Sequence, residues 1–449
     1  MHSSTGDKAG RRVSRVAVLD TIHGANVIAR RMVECGIQAE PLEVYHHIAS
    51  LDAFDEVVVP VHLPPDNPHL VQAKGLGKRI ISHHQAVGEL IGLDADDLVK
   101  IEVTGTHSKT TTALLVAMIL SRQKRVLSHT TRGLEIWSGG RPQLLKEGLS
   151  ITPANAILAV QEALAQGAEA LICEISLGGT GLAQLGILTS FINDYRIAGG
   201  TKWASTAKLQ MLSLARQGSR LAANADCRIS PDISFAEGGL VWALPDGLIY
   251  GEERLGLSLG EDLDFASYRT AISGAAAAAE LLGLEREDTI RALEGFGGFS
   301  GRMKIERLDG RTVFDSSNSG LKVSDIERAL DKARGPNLVA VVGEDAQTVC
   351  EGLDIPRLVE LLRRRRSEIE DLVLVGERLR PLARELGQRR PKTLWRGSRR
   401  QNPLAPKDCL VRLSVSGDNN GKRNAKFECT SSQAELNCGR FIHPARSGG

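Results

Sequence analysis

The stretch Val103-Thr104-Gly105-Thr106-His107-Ser108-Lys109-Thr110-Thr111-Thr112 carries the sharpest chemical signal in the chain. It sits between a short β-branched run and an apolar helical pattern. A loop in that setting aims backbone N–H groups and a helix N-terminus at one point, which is where a polyphosphate binds. Lys109 supplies a cation for the outer phosphates and Thr110 a hydroxyl for Mg²⁺. The strict G-x-x-x-x-G-K-[ST] pattern is not met, because Val103 and Ser108 stand where its glycines would be. A serine that must take a positive φ costs roughly 1 kcal/mol or more. The plainer alternative is a turn before a helix that happens to hold Lys-Thr.

A second concentration of chemistry lies near the N-terminus. His2, His23, His46, His47, His62, His69, His83 and His84 all fall within the first 84 residues, out of 11 histidines in the chain. Such a segment could contact a polycarboxylate or a metal-bearing ligand; scattered surface and loop histidines are the other reading. No glycine-rich fingerprint for a uridine diphosphate follows Asp20-Thr21-Ile22-His23-Gly24. The arginines Arg363 to Arg366, at a helix end, read as a solvated face favoured by the helix dipole.

The elements that must position these residues alternate between short β-branched strands and longer helical patterns, which argues for parallel sheets covered by helices. In the first block Val16 to Asp20, Val57 to Val59 and Arg79 to Ser82 read as strands and Asn26 to Cys35 as a helix. Prolines 60, 64, 65 and 68 predict a loop over residues 60–70. The second block has strands at Val99 to Val103 and Ala170 to Ile175, the latter leading into Gly178, Gly179 and Gly181. Its helices are expected at Thr110 to Ser121, Thr206 to Gln217 and Tyr268 to Leu282, with a surface hairpin or insertion over Pro245 to Asp264. The third block has strands at Leu338 to Val342 and Leu372 to Val375, and helices at Ile355 to Arg365 and Arg378 to Leu386. From about Ser414 the apolar periodicity ends, and no fold is assigned to the polar tail.

With 449 residues the chain has room for two to four domains. Lys plus Arg number 56 against 54 Asp plus Glu, and this near balance gives no field to attract nucleic acid or a membrane surface. No run of about 18 apolar residues or signal-peptide core is present, and the seven cysteines form no C-x-x-C pair, so a reducing, cytoplasmic setting is expected.

Taken with further segments in order, Gly105-Thr106-His107-Ser108-Lys109-Thr110-Thr111 resembles the short phosphate loop of the Mur ligase superfamily, ATP-dependent ligases with a G-T-x-G-K-[ST]-[ST] pattern. The resemblance covers about residues 99 to 330. It implies that Gly105 through Thr111 cradle ATP, that Lys109 is catalytic, and that Glu174, matching the family's glutamate, joins Thr110 in binding Mg²⁺. Ala207-Lys208-Leu209 resembles the segment whose lysine is carbamylated in many members, giving Lys208 a catalytic role. Asn224-Ala225-Asp226 is similar to the segment bordering the adenine. Gly301-Arg302 and Phe314-Asp315-Ser316-Ser317-Asn318-Ser319-Gly320 resemble elements that close over the nucleotide, which implies Arg302, Asp315 and Asn318 as contacts. Where members carry Asp-His after the glutamate strand, this chain has Asn193-Asp194-Tyr195, and a neutral tyrosine is a poor replacement ligand.

The fold implied is α/β in three domains: a Rossmann-like substrate domain (1–98), a central P-loop ATPase domain (99–333) and a C-terminal Rossmann-like domain (334–413), followed by the tail 414–449. The activity implied is ADP-forming activation of a carboxylate as an acyl phosphate. Val18-Leu19-Asp20-Thr21-Ile22-His23-Gly24 and Phe314 to Leu321 look like the branch of the superfamily, from methanogenic archaea, that forms factor 430. That likeness implies a nickel tetrapyrrole substrate whose propionate is activated and then closed into a carbocycle. An amide-forming ligase joining an amino acid to a carboxylate, and a non-catalytic nucleotide-binding regulator, are the alternatives.

Overall fold

The computed structural model describes residues 15–92, 97–308, 311–318, 321–335, 337–343, 353–376, 378–382, 386 and 411–416. Three sheets organise them.

The first comprises β1 (Arg15–Leu19), β2 (Gln38–Leu42), β3 (Glu56–Val59) and β4 (Arg79–Ser82), with helices α1 (Ala25–Glu34), α2 (Pro68–Gly75) and α3 (His83–Ile91). Its strands are all parallel in the order β2-β1-β3-β4. Residues 60–67 form the expected loop, but helix α2 takes over its last three positions. Pro68 is its first residue and the Asn67 side chain accepts from the His69 N–H, so the proline starts the helix rather than breaking it.

The second sheet has 11 strands. Its parallel centre is β5 (Val99–Thr104), β6 (Val126–Thr130), β9 (Ala170–Glu174), β10 (Leu185–Leu188), β13 (Arg220–Asn224) and β14 (Ile233–Phe235). One antiparallel extension is the hairpin β7 (Gly133–Ser138) and β8 (Arg141–Lys146), which turns through Gly139 and Gly140, both at positive φ. On the opposite side β15 (Val241–Leu244), β16 (Gly247–Tyr250) and β17 (Glu253–Gly256) close the sheet, the last two being the expected surface hairpin. A small pair, β11 (Arg196–Ile197) and β12 (Lys202–Trp203), stands apart.

Helix α4 (Lys109–Leu120) is buried from Thr110 to Leu120 between this sheet and α8 (Phe265–Leu281), whose run Ala275 to Ala279 allows close approach. Helices α5 (Asn155–Ala165) and α9 (Arg286–Leu293) complete the cover. The single helix expected over Thr206 to Gln217 is two short ones, α6 (Ala204–Lys208) and α7 (Gln210–Ser213). The Gln210 amide donates to the Ala207 carbonyl at 3.0 Å, so a side chain takes an acceptor that a continuous helix would give to its backbone.

The third sheet, ordered β18-β19-β22-β20-β21, contains β18 (Lys304–Leu308), β19 (Arg311–Asp315), β20 (Leu338–Gly343), β21 (Asp371–Val375) and β22 (Val411–Ser416). It packs with α10 (Val323–Lys332) and α11 (Ile355–Arg364) around Ile326, Leu330, Ala340 and Leu358. Residues 304–333, grouped at the sequence level with the central block, therefore share this sheet and core. Strand β22 enters between β19 and β20, antiparallel to both, and its last residues fall where only tail was expected.

Arg365 is buried and meets Asp331 of α10 at 2.6 Å, whereas Arg363 and Arg364 are exposed as expected, Arg364 meeting Glu327 of α10 at 2.5 Å from the surface. Of the helix expected at Arg378 to Leu386, residues 378–381 are turns and part lies outside the described residues, as do Ser319, Gly320 and the tail 417–449. Among the described residues no helix is long and apolar enough to cross a membrane.

Candidate functional site

Strands β5 and β9 are parallel neighbours, with Val103 opposite Glu174. That register brings the loop after one strand beside the carboxylate ending the other. Gly105 (φ 146°) begins the loop, and a Cβ there would lie 2.1 Å from the Thr189 hydroxyl oxygen, so only glycine fits. Ser108 does adopt the left-handed conformation, with φ 62°, immediately before α4. Half-buried Lys109 then opens the helix.

Two strand ends hold this loop in place. The Thr189 hydroxyl donates to the carbonyls of His107 (2.5 Å) and Thr104 (3.1 Å), and the Thr106 N–H donates to the Ser190 carbonyl at 2.9 Å. Asn224 sits behind them: its amide donates to the Thr189 carbonyl at 2.8 Å and its oxygen accepts from the Asp226 N–H. Asp226 in turn accepts from the Ser190 hydroxyl at 2.6 Å. Asn224 thus acts on the loop through Thr189. Burial lowers the pKa of His107, with Asp325 opposing and Lys109, Lys322 and Arg328 reinforcing, so the first turns of α10 lie within electrostatic reach of the loop.

Glu174 is 2% exposed. Its Oε2 accepts from the Thr110 hydroxyl at 2.7 Å and from the Thr131 N–H at 3.2 Å. The Thr131 hydroxyl lies 3.3 Å from that of Thr110 and accepts from Arg302 at 2.9 Å. Thr131, in the β6–β7 turn, escaped the sequence analysis, as did Thr189 and Ser190. The only available signal was a pair of hydroxyl residues at a strand end. Burial lowers the Arg302 pKa, and the Glu174 charge opposes that shift.

Asp315 and Asn318 fix the turn that presents Arg302. Asp315 accepts from the Gly301 N–H (2.9 Å), the Ser300 hydroxyl (3.2 Å) and Ser317 (2.6 Å), while the Asn318 amide donates to the carbonyls of Ser316 and Gly301. Gly301 (φ 74°) is required there, because a Cβ would lie 2.1 Å from the Ser317 carbonyl oxygen.

Lys208 is fully buried, and its Nζ donates to the Ser176 carbonyl at 2.5 Å. Tyr195 stands between two ammonium groups, 5.8 Å from Lys208 Nζ and 5.5 Å from Lys322 Nζ, both within cation–π range of its ring. The residue that replaces the family's histidine therefore meets cations.

The N-terminal histidines divide into distinct groups. His83 and His84 are buried, and desolvation pushes them down to about 4 and about 3. His69 is also buried, and its Nε2 accepts from the Ala49 N–H. His46 and His47 are exposed. His23 and His62 converge on Asp20, whose carboxyl burial pushes up but the two histidines, by hydrogen bonds and charge, bring well below the usual range.

Residues 305–411 match the family described as coenzyme F430 synthetase CfbE, C-terminal domain. A coenzyme F(430) synthetase from Methanosarcina acetivorans is 35% identical over 435 residues, covering 83% of this chain and 92% of the relative. A UDP-N-acetylmuramoylalanine–D-glutamate ligase from Geobacter metallireducens is 24% identical, covering 84% and 80%. A crystal structure of MurF from Acinetobacter baumannii superposes with a TM-score of 0.50 at 15% identity, covering 81% of this chain and 87% of that one. This likeness shows the fold: the three sheets have the three-domain α/β architecture of Mur ligases.

Proposed function

The chain belongs to the coenzyme F(430) synthetase family and is an ATP-dependent ligase, and from that premise we propose that it activates a propionate carboxylate of a nickel seco-tetrapyrrole and closes it into a carbocycle. The observation that carries the reading is the convergence of the Gly105–Thr111 loop with Glu174, Thr131 and Arg302. The amide-forming and regulatory alternatives are not favoured by this family membership.

In the first half-reaction a carboxylate oxygen of the substrate attacks the γ-phosphorus of ATP. The new O–P bond forms as the bond to the β-phosphate oxygen breaks, and ADP leaves. Phosphoryl transfer needs chiefly in-line positioning and neutralisation of charge. The loop N–H groups and the start of α4 would hold the phosphates, with Lys109 and Arg302 neutralising their outer oxygens. Thr110 and Glu174 offer a hydroxyl and a carboxylate, hard oxygen donors that suit Mg²⁺. When bound, Mg²⁺ would neutralise phosphate oxygens and orient the triphosphate. In the second half-reaction a carbon nucleophile of the same substrate, having lost a proton, attacks the acyl carbon. A C–C bond forms, the bond to the phosphate oxygen breaks and phosphate leaves, so no amino acid is consumed.

Asp315 and Asn318 act as positioning residues for Arg302, and Asn224 for the loop. Lys208 is read as an ammonium beside the substrate carboxylate, since its contacts with Ser176 and Tyr195 suit a cation. Free thiols at Cys35, Cys173 and Cys227 support a cytoplasmic setting.

The test is ADP release with nickel seco-tetrapyrrole, with and without a mixture of amino acids. Release with the tetrapyrrole alone is the expected result. Release that required an amino acid would replace the reading with amide formation.

A further inference from the structure

Asp20, His23 and His62 meet at the C-terminal edge of the first sheet. Asp20 follows β1, His23 lies three residues later, and His62 follows β3. The chain leaves β1 to β2 on one side, and β3 lies on the other, so the three sit at the sheet's topological switch point, where α/β sheets open a ligand crevice.

One nitrogen or oxygen from each residue lies within 4.8 Å of the other two. Asp20 Oδ2 is 2.6 Å from His23 Nδ1 and 3.2 Å from His62 Nε2. The Asp20 side chain is fully buried, whereas those of His23 and His62 are 21% and 29% exposed, so an anchored carboxylate backs two rings that reach solvent.

The support behind the cluster is rigid. Asp20 takes φ 79°, a left-handed conformation that costs a non-glycine residue about 1 kcal/mol and concentrates at functional sites. Its Oδ1 accepts from the Ile22 and His23 N–H groups, and Tyr45 OH donates to Oδ2 at 3.1 Å. A Cβ on Gly24 would lie 2.3 Å from the Ala154 Cβ, so the loop is pressed against the start of α5.

We propose that Asp20, His23 and His62 hold a divalent transition-metal ion. Two imidazoles with one carboxylate suit zinc, cobalt or nickel rather than Mg²⁺ or Ca²⁺, which take oxygen-rich sites. Tyr45 and the two backbone N–H groups orient the carboxylate, as outer partners do in metal sites. Three protein ligands leave coordination positions open, and these would take an anionic oxygen such as a carboxylate of a bound small molecule. The cluster lies on a different sheet from the phosphate loop, and its occupancy is independent of the ligase reading.

The experiment titrates the chelator-treated full chain, without nucleotide, with Co²⁺ and then Zn²⁺. The expected result is one Co²⁺ per chain with visible absorption that Zn²⁺ displaces. His23→Ala and His62→Ala should each weaken Zn²⁺ binding by on the order of 100-fold, and Tyr45→Phe by about 10-fold, the range seen for ligand-orienting partners. Circular dichroism should show each variant folded, because the substituted rings are partly exposed. The proposal is overturned if the wild-type chain gives no Co²⁺ band, or if the His23→Ala, His62→Ala double variant binds Zn²⁺ as tightly. Loss of binding in Glu174→Gln with retention in the histidine variants would also overturn it, by locating the ion at the phosphate site.

Discussion

Thr110 donates its hydroxyl proton to Glu174 at 2.7 Å across 64 residues of chain. The pairing exists because β5 and β9 run parallel side by side, so a loop leaving one meets the last residue of the other. Glu174→Gln keeps an acceptor there and removes the charge. ADP formation should fall by at least about 100-fold, the scale for losing one preorganised electrostatic contact. Thermal unfolding should stay within a few degrees of wild type, and full turnover would exclude Glu174 from the chemistry.

Lys109→Ala should cause a loss of similar or larger size, on the order of 100- to 1,000-fold in ADP release. Lys109 opens α4 without lying in the core, so its effect belongs on turnover and not on folding. A variant that hydrolyses or transfers phosphate at the wild-type rate would reject the phosphate role.

Gly105→Ala tests the loop itself. The added Cβ would stand 2.1 Å from the Thr189 hydroxyl, which itself binds the carbonyls of Thr104 and His107. We expect destabilisation of about 1–3 kcal/mol by urea unfolding and severe loss of ATP affinity by calorimetry. Unchanged ATP affinity would mean that the loop is not where the nucleotide sits.

The strand–loop–helix corner was legible because all its parts are local: a β-branched run, Gly105, Lys109 and an apolar helix lie within a few turns of chain. Glu174 and Arg302 needed a family resemblance, since nothing near them in sequence indicates what they face. Thr131 was hidden because its role depends on the β6–β7 hairpin, whose tight Thr130-Thr131-Arg132-Gly133 turn carries no sequence signal of the strand end it faces. Helix α2 was lost to a rule about proline that fails at the first helical position. Strand β22 gave little signal because its two partners are far away in the chain and polar sequence follows it. Asp20, His23 and His62 could be seen as chemistry-bearing types, but not as one cluster, until β1 and β3 proved to be neighbours.

Burial holds His83 at about 4 and His84 at about 3, against 6.5 ordinarily. Between pH 6.5 and about 4 for His83, and down to about 3 for His84, the unfolded chain binds protons that the native chain refuses. Their contribution to stability is therefore complete above that window and is lost as pH falls through it. Each should account for on the order of a few kcal/mol. Urea midpoints measured from pH 7 downward should show the decline, and His84→Leu should flatten it. An unaltered slope in that variant would assign the loss to other groups.

Lys208→Met removes the buried ammonium while keeping most of its volume. Turnover should drop by on the order of 100-fold with ATP binding retained. Added acetate or formate should not restore it. Restoration by such small acids would instead establish a carbamate on Lys208 as the working group.

The insertion of β22 between β19 and β20 means that two strands consecutive along the chain never touch through their own ladders. The hairpin of β18 and β19 can zip up early, yet its free edge must wait for a segment roughly a hundred positions downstream. Closing so long an excursion is slow. During that delay the unpaired edges of β19 and β20 are open to rival strands. The last part of this ligase to be secured during refolding should thus be the sheet that carries Asp315, and through it the turn that holds Arg302 against Thr131.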